Sequence, residues 1–181
     1  MRPDPTPAGD SVAAEIDAWI SQMADADPVT EAARQRIGRI SRLFEHLLAD
    51  VATANDLTPG DWTALSALQR SGPPYERTPK QLADELGVTA GTMSVRIDRL
   101  SKAGLVEPVP AVDGRSRPVR LTELGRRRWS QATRDRTTRE RRLLTDALAS
   151  DDLDQLNRLL ARLLARLEDE FGPAPRHQQA R

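Results

Sequence analysis

Residues 78–104, TPKQLADELGVTAGTMSVRIDRLSKAG, hold two helix patterns so close together that the second must fold back onto the first. Thr78-Pro79 is a start signal, a capping hydroxyl before a proline at the first helical position. Leu82, Ala83 and Leu86 recur at helical spacing and give one apolar face, with Ala83 small where the next helix approaches. Gly87 stops this helix where a positive φ costs least, Val88 plugs the turn, and Thr89 caps the second helix. Met93, Ile97 and Leu100 form the second core face, and Gly104 ends it. Two short helices joined by a glycine-bearing turn make the helix-turn-helix pattern.

At about 100° per residue, the face opposite that core carries Gly91, Val95, Asp98 and Lys102, with Thr92 and Arg99 on one flank and Ser94 on the other. Its N-terminal half, Thr89, Ala90, Gly91, Thr92 and Ser94, is small and polar. Such a face brings backbone and hydroxyls close to base edges in a major groove. Alone, it would equally serve a solvent-facing helix start. Residues 105–122 shift the balance. Leu105-Val106 opens one extended run and Val119–Leu121 another, with Asp113-Gly114 at the turn between them. Pro108, Pro110 and Pro118 predict edge strands. Arg115, Arg117 and Arg120 charge this hairpin, and arginine is suited to a narrow, negative minor groove.

Asp113-Gly114-Arg115-Ser116, four residues, then Leu121-Thr122 and Gly125, resembles the wing signature of the MarR family of bacterial regulators. QLADELGVTAGTMSVRIDRLSKAGLVE resembles that family's helix-turn-helix, and the strong likeness covers about residues 57–125. The resemblance implies a winged helix-turn-helix inside an all-helical dimer that binds palindromic operators, usually represses, and is released by a small molecule. It also implies that Arg115 enters the minor groove with Asp113 orienting it, and that Thr89, Thr92 and Ser94 face the major groove. Lys80, Gly91, Arg99 and Arg117 complete the expected DNA-binding set. One position departs from the family pattern. Many members carry an arginine where this chain has Val95, and Arg96 follows one residue later, turned toward the core boundary. Arg96 therefore reads either as partner to a carboxylate or an acidic effector, or as a side chain reaching phosphate from the flank.

Net charge is zero, so positive charge is local rather than global. Sequence-specific readers manage with a few placed phosphate contacts. Arginine supplies nearly all of it, Lys80 and Lys102 being the only lysines. With no cysteine there is neither a disulfide nor thiol sensing. No signal peptide or membrane-length apolar run is visible, so a cytoplasmic protein without membrane contact is expected.

The expected fold is mainly α with a small β-wing: a winged helix-turn-helix lobe plus a helical dimerisation region. Residues 1–10 and 173–181 read as disordered tails, 11–56 and 126–172 as dimerisation helices, and 57–125 as the DNA-binding lobe. In detail, 11–24 is an amphipathic helix with Val12, Ile16, Trp19, Ile20 and Met23 on one face, and a longer helix spans about Thr30 to Ala54. Thr58-Pro59 starts a helix with Trp62, Leu65 and Leu68 inward. A polar, arginine-rich helix runs from near Thr122 to about Ala149, and a final helix after Ser150 carries a leucine stripe from Leu153 to Leu167, ending in Phe171. That stripe suits a symmetric homodimer, because paired half-sites need two reading heads about 34 Å apart. An intrachain helical hairpin is the other use for it.

His46 and His177 lack metal-ligand spacing, and no nucleophile–base set, P-loop or dinucleotide motif is present, so neither catalysis nor a cofactor is expected. The N-terminal helix with Trp19, together with RIDRL at 96–100, resembles the urate-responsive branch of the MarR family. A flat anion would suit a tryptophan face plus an arginine, which makes Trp19 and Arg96 the ligand-binding candidates. The expected activity is a DNA-binding transcriptional regulator, a repressor released by a small aromatic or phenolic ligand. The alternatives are a ligand-independent repressor and a winged-helix protein-interaction module.

Overall fold

The computed structural model describes residues 9–23, 25–110 and 117–173, so the Asp113-Gly114-Arg115 turn lies outside the described residues. The chain divides into two compact units, one up to Leu47 and one from Leu48 onward. The first unit starts with turns rather than with the expected helix over 11–24. The Asp10 carboxylate accepts from the N–H groups of Val12 (3.0 Å) and Ala13 (2.8 Å), and residues 11–15 wind around it. Regular helix is confined to α1, Ile16–Ile20. This turn resets the helical phase, so Val12 is buried while Trp19, two turns on, is 45 % exposed.

Helix α2, Pro28–Ala54, begins two residues before the expected Thr30 and runs on into the second unit. Asp27 caps it, its carboxylate accepting from Thr30 N–H at 2.7 Å, and Pro28 takes the first helical position. Arg36 reaches back to Asp10 at 2.7 Å, and Arg39 bonds Glu15 and Ser11, which ties the opening turns to α2. Along it Leu47 and Val51 are buried, whereas Ile37 and Ile40 stay exposed.

In the second unit threonine hydroxyls start four successive helices. Thr58 accepts from Asp61 N–H to begin α3 (Pro59–Arg70), and Asp61 answers Thr58 N–H, closing a capping box. Between α3 and the next helix lies β1, Glu76–Arg77. Thr78 and Gln81 build the same box for α4 (Pro79–Leu86), which stops at Gly87 with φ +63°. Thr89 accepts from Thr92 N–H to open α5, Ala90–Lys102. Strands β2 (Val106–Pro108) and β3 (Val119–Leu121) follow. Thr122 caps α6, Glu123–Ala147, and α7 spans Ser150–Phe171.

The core gathers Trp62, Leu65 and Leu68 of α3, Leu82 and Leu86 of α4, Met93 and Leu100 of α5, Leu105 just before β2, and the strand residues Val106, Val119 and Leu121. Ile97 is partly buried against it. Helix α6 closes this core with Ala132 and Trp129; Trp129 Nε1 donates to Ser66 Oγ at 2.8 Å and Trp62 Nε1 to Thr133 Oγ1 at 3.1 Å. Gly125 is obligatory in the first turn of α6, since a Cβ there would lie 2.0 Å from the Leu105 carbonyl oxygen.

The sheet corrects one expectation. Its order is β1-β3-β2, all antiparallel, so β3 is central rather than an edge strand. Pro118 precedes β3 and leaves the strand's own N–H groups intact; Leu121 N–H donates to Tyr75 C=O at 3.1 Å. The two-residue strand β1 is too short to show an alternating pattern.

Candidate nucleic-acid interface

Helix α5 is welded to the core on one face and bare on the other. Thr89, Ala90, Gly91, Thr92, Ser94 and Val95 are all exposed. Thr89 Oγ1 and Thr92 Oγ1 lie 2.9 Å apart, so the two hydroxyls form one polar edge at the helix start. Gly91 adds no bulk, and the nearest atom to a Cβ built on it is Thr89 Oγ1 at 3.9 Å. Low side chains at a helix N-terminus, with N–H groups aimed outward, let the backbone approach a phosphate or a base edge. Lys80, in the first turn of α4, is exposed as well.

Two arginines of α5 behave differently from each other. Arg99 does not project freely. Its Nε lies 3.2 and 3.1 Å from the two oxygens of Asp61, a nearly fully buried carboxylate, and its Nη2 donates to Thr58 Oγ1 at 3.1 Å. Its side chain stays half exposed, so one edge of the guanidinium is held by α3 and the other is open. Arg96 is half buried with its guanidinium laid over Gly60; a Cβ on that glycine would be 2.4 Å from Arg96 Nη2. Burial pushes the Arg96 guanidinium below its ordinary pKa, the charge of Asp61 opposes this, and Arg99 adds to it. The carboxylate whose charge acts on Arg96 is thus the one Arg99 already occupies.

On the wing, Arg117 is exposed, while Arg120 is drawn down to Glu76 on β1 at 2.7 Å and lies 3.7 Å from Glu107. Asp113 and Arg115 fall outside the described residues. At the start of α6, Arg126 and Arg127 pair with Glu123, and Arg128 Nη1 donates to Asn55 C=O and to Asp56, both at 2.9 Å. In the first unit, Trp19 lines a cleft of about 330 Å³ with Glu15, Arg34, Gln35, Gly38, Arg39 and Arg42. Glu31 beside it is held down to about 2 by hydrogen bonds from Arg34 first, then Gln35, with Trp19 contributing.

Residues 55–116, which span the helix-turn-helix, match the model of the MarR family. The match is confined to that region of the chain. The chain is 26 % identical over 149 residues to the HTH-type transcriptional regulator PecS of Dickeya dadantii, covering 82 % of this chain and 89 % of PecS. Apo MarR from E. coli superposes with a TM-score of 0.64 at 25 % identity, over 72 % of this chain and 94 % of MarR. A mutant MarR from E. coli complexed with operator DNA superposes with a TM-score of 0.57, again at 25 % identity, over 72 % and 91 %.

Two sets of residues escaped the sequence reading. Asp61 is the third helical residue of a capping box begun by Thr58, but its grip on Arg99, 38 residues away, has no sequence signal. Arg34, Arg39 and Arg42 were legible only as the polar face of a long helix; the turns that bring Trp19 beside them have no periodic signature. Among the described residues no group of His, Asp and Glu could hold a metal ion, and no helix is long and apolar enough to cross a membrane.

Proposed function

We propose that this chain is a sequence-specific transcriptional regulator that binds a palindromic duplex as a homodimer. The observation that carries the reading is the bare, small-residue N-terminal half of α5, standing out from a helix-turn-helix whose other face is fixed in the core. Thr89, Gly91, Thr92 and Ser94 meet the major groove. Lys80, Arg117 and the open edge of Arg99 take phosphates, and Arg115, oriented by Asp113, reaches the minor groove. The likeness to the E. coli MarR mutant complexed with operator DNA supports duplex DNA as the partner. Exposed leucines along α7, from Leu156 to Leu167, with Phe171, supply the apolar surface on which two copies pair.

The regulator is a repressor that releases DNA when a small aromatic or phenolic anion binds. Trp19, in its arginine-lined cleft, and Arg96, half buried beside an occupied carboxylate, are its ligand-binding residues, each in its own unit. Gel retention of duplexes from the intergenic DNA beside its own gene, at 50 and 200 mM salt, tests the reading. A regulator making roughly six to ten phosphate contacts loses about 10³–10⁵ in affinity over that range. Arg115→Ala weakens retention while the folded signal by circular dichroism is unchanged. No retention at low salt favours the protein-interaction module. In a thermal-shift screen with urate and aromatic acids, a binder raises the melting temperature by mass action, and Trp19→Ala removes the shift.

A further inference from the structure

We infer that Val95 reads thymine methyl groups in the major groove and so sets a base preference within each half-site. This rests on the DNA-binding reading above and goes beyond it by naming the base feature and the residue. Among the described residues from 55 to 123, Val95 is the one large hydrophobic side chain that is exposed, at 67 %. The core-facing side chains of the same two helices are hidden, with Leu82, Met93 and Leu100 0–2 % exposed.

Its position gives the exposure a use. Val95 lies one turn after Gly91 and next to Ser94, in the middle of the bare face of α5. Gly91 has no side chain to hold the helix off a surface, so the two Val95 methyl groups stand above their N-terminal surroundings. On the C-terminal side, Asp98 is paired with Lys102 at 2.7 Å, which removes a bare anion that phosphates would repel. On the flank, Arg99 is held by Asp61 and does not compete for the same bases. An aliphatic side chain has no donor for guanine O6 and N7 and no acceptor for cytosine N4. The major-groove feature it matches is the C5-methyl of thymine.

The test starts from duplexes that the full-length protein selects from a randomised library. Each thymine is then replaced by deoxyuridine, which removes the methyl group and nothing else. The expected result is a symmetric position in the two half-sites at which deoxyuridine lowers wild-type affinity about three- to fourfold, the worth of one buried methyl. Val95→Ala, on an exposed helical site that alanine favours, binds the thymine duplex more weakly and no longer distinguishes thymine from deoxyuridine there. Equal sensitivity in both proteins, or no sensitive position, overturns the role of Val95 while DNA binding stands. Failure of the wild type to select any duplex overturns both readings together.

Discussion

Arg99 on α5 grips the buried carboxylate of Asp61 on α3, with its Nε placed within 3.2 Å of both carboxylate oxygens. Asp61 also accepts from Thr58 N–H at 2.9 Å and Thr58 Oγ1 at 2.8 Å, so one carboxylate caps α3 and anchors the exposed helix. Removing it breaks a cap and strands a cation. Asp61→Ala is expected to cost about 2–4 kcal/mol in urea unfolding. Arg99→Ala, which leaves the buried carboxylate without its cation, costs less because Thr58 still satisfies one oxygen. The two losses are expected to be strongly non-additive in the double variant. Additive losses would show that the pair contributes nothing as a pair.

Two glycines on helices should respond to alanine in opposite senses. Gly125 sits where a Cβ would meet the Leu105 carbonyl oxygen at 2.0 Å, a backbone atom that cannot step aside. Gly125→Ala is therefore destabilising by about 1–3 kcal/mol, in spite of the better helix propensity. A Cβ on Gly91, on α5, would meet only Thr89 Oγ1, at an ordinary 3.9 Å. Gly91→Ala should stabilise the fold by roughly 0.5–1 kcal/mol, yet weaken DNA retention, because its methyl holds the helix off the groove. Chemical denaturation and gel retention on the same samples separate the effects. A Gly91→Ala protein that is both more stable and an equally good binder would place the interface elsewhere.

The contrast between these glycines also marks what the sequence could tell. The helix-turn-helix was legible nearly to the residue, because each of its devices is local. Thr78-Pro79, Gly87 and Thr89 act on their own helix ends, and Leu82, Leu86, Met93 and Leu100 declare one face. Features that need partners far along the chain were not. Strand β1 has two residues and exists because Glu76 and Arg77 meet Arg120 and Val119. The N-terminal pattern looked like one continuous amphipathic helix, because periodicity cannot register that the Asp10 carboxylate captures two N–H groups and resets the phase. Arg99, read as a flank residue of the DNA-binding set, showed no partner for the same reason: Asp61 lies 38 residues upstream.

Helix α7 exposes Leu159, Leu160, Leu163, Leu164 and Leu167 along one stripe, and Phe171 at its end. A contiguous apolar stripe of this kind needs a cover in water. Sedimentation velocity at micromolar concentration should give a particle of about twice the 20.0 kDa chain mass. Leu160→Glu combined with Leu164→Glu places two charges in that stripe and should shift the particle toward one chain mass, with loss of DNA retention. A wild type that sediments as a single chain would remove the basis for paired half-site reading.

The opening turns of the chain carry a pH dependence whose sign is fixed by one ion pair. The Asp10 carboxyl is held down to about 2 from its ordinary 3.8, first by the hydrogen bond from Arg36, then by the Ala13 N–H. A carboxyl whose pKa is lower in the folded state stabilises that state above its unfolded value. The contribution disappears as pH falls from near 4 toward 2. Carbon-13 NMR titration should therefore place the Asp10 midpoint near 2, and the bonds from Val12 and Ala13 N–H to Asp10 should loosen in the same window. In Arg36→Ala the largest cause is gone while the Ala13 bond remains, so the midpoint moves up toward 3.8 without reaching it. A wild-type midpoint already near 3.8 would mean that Arg36 does not hold Asp10 in solution, and that the turns of residues 11–15 are not tied to α2 through this pair.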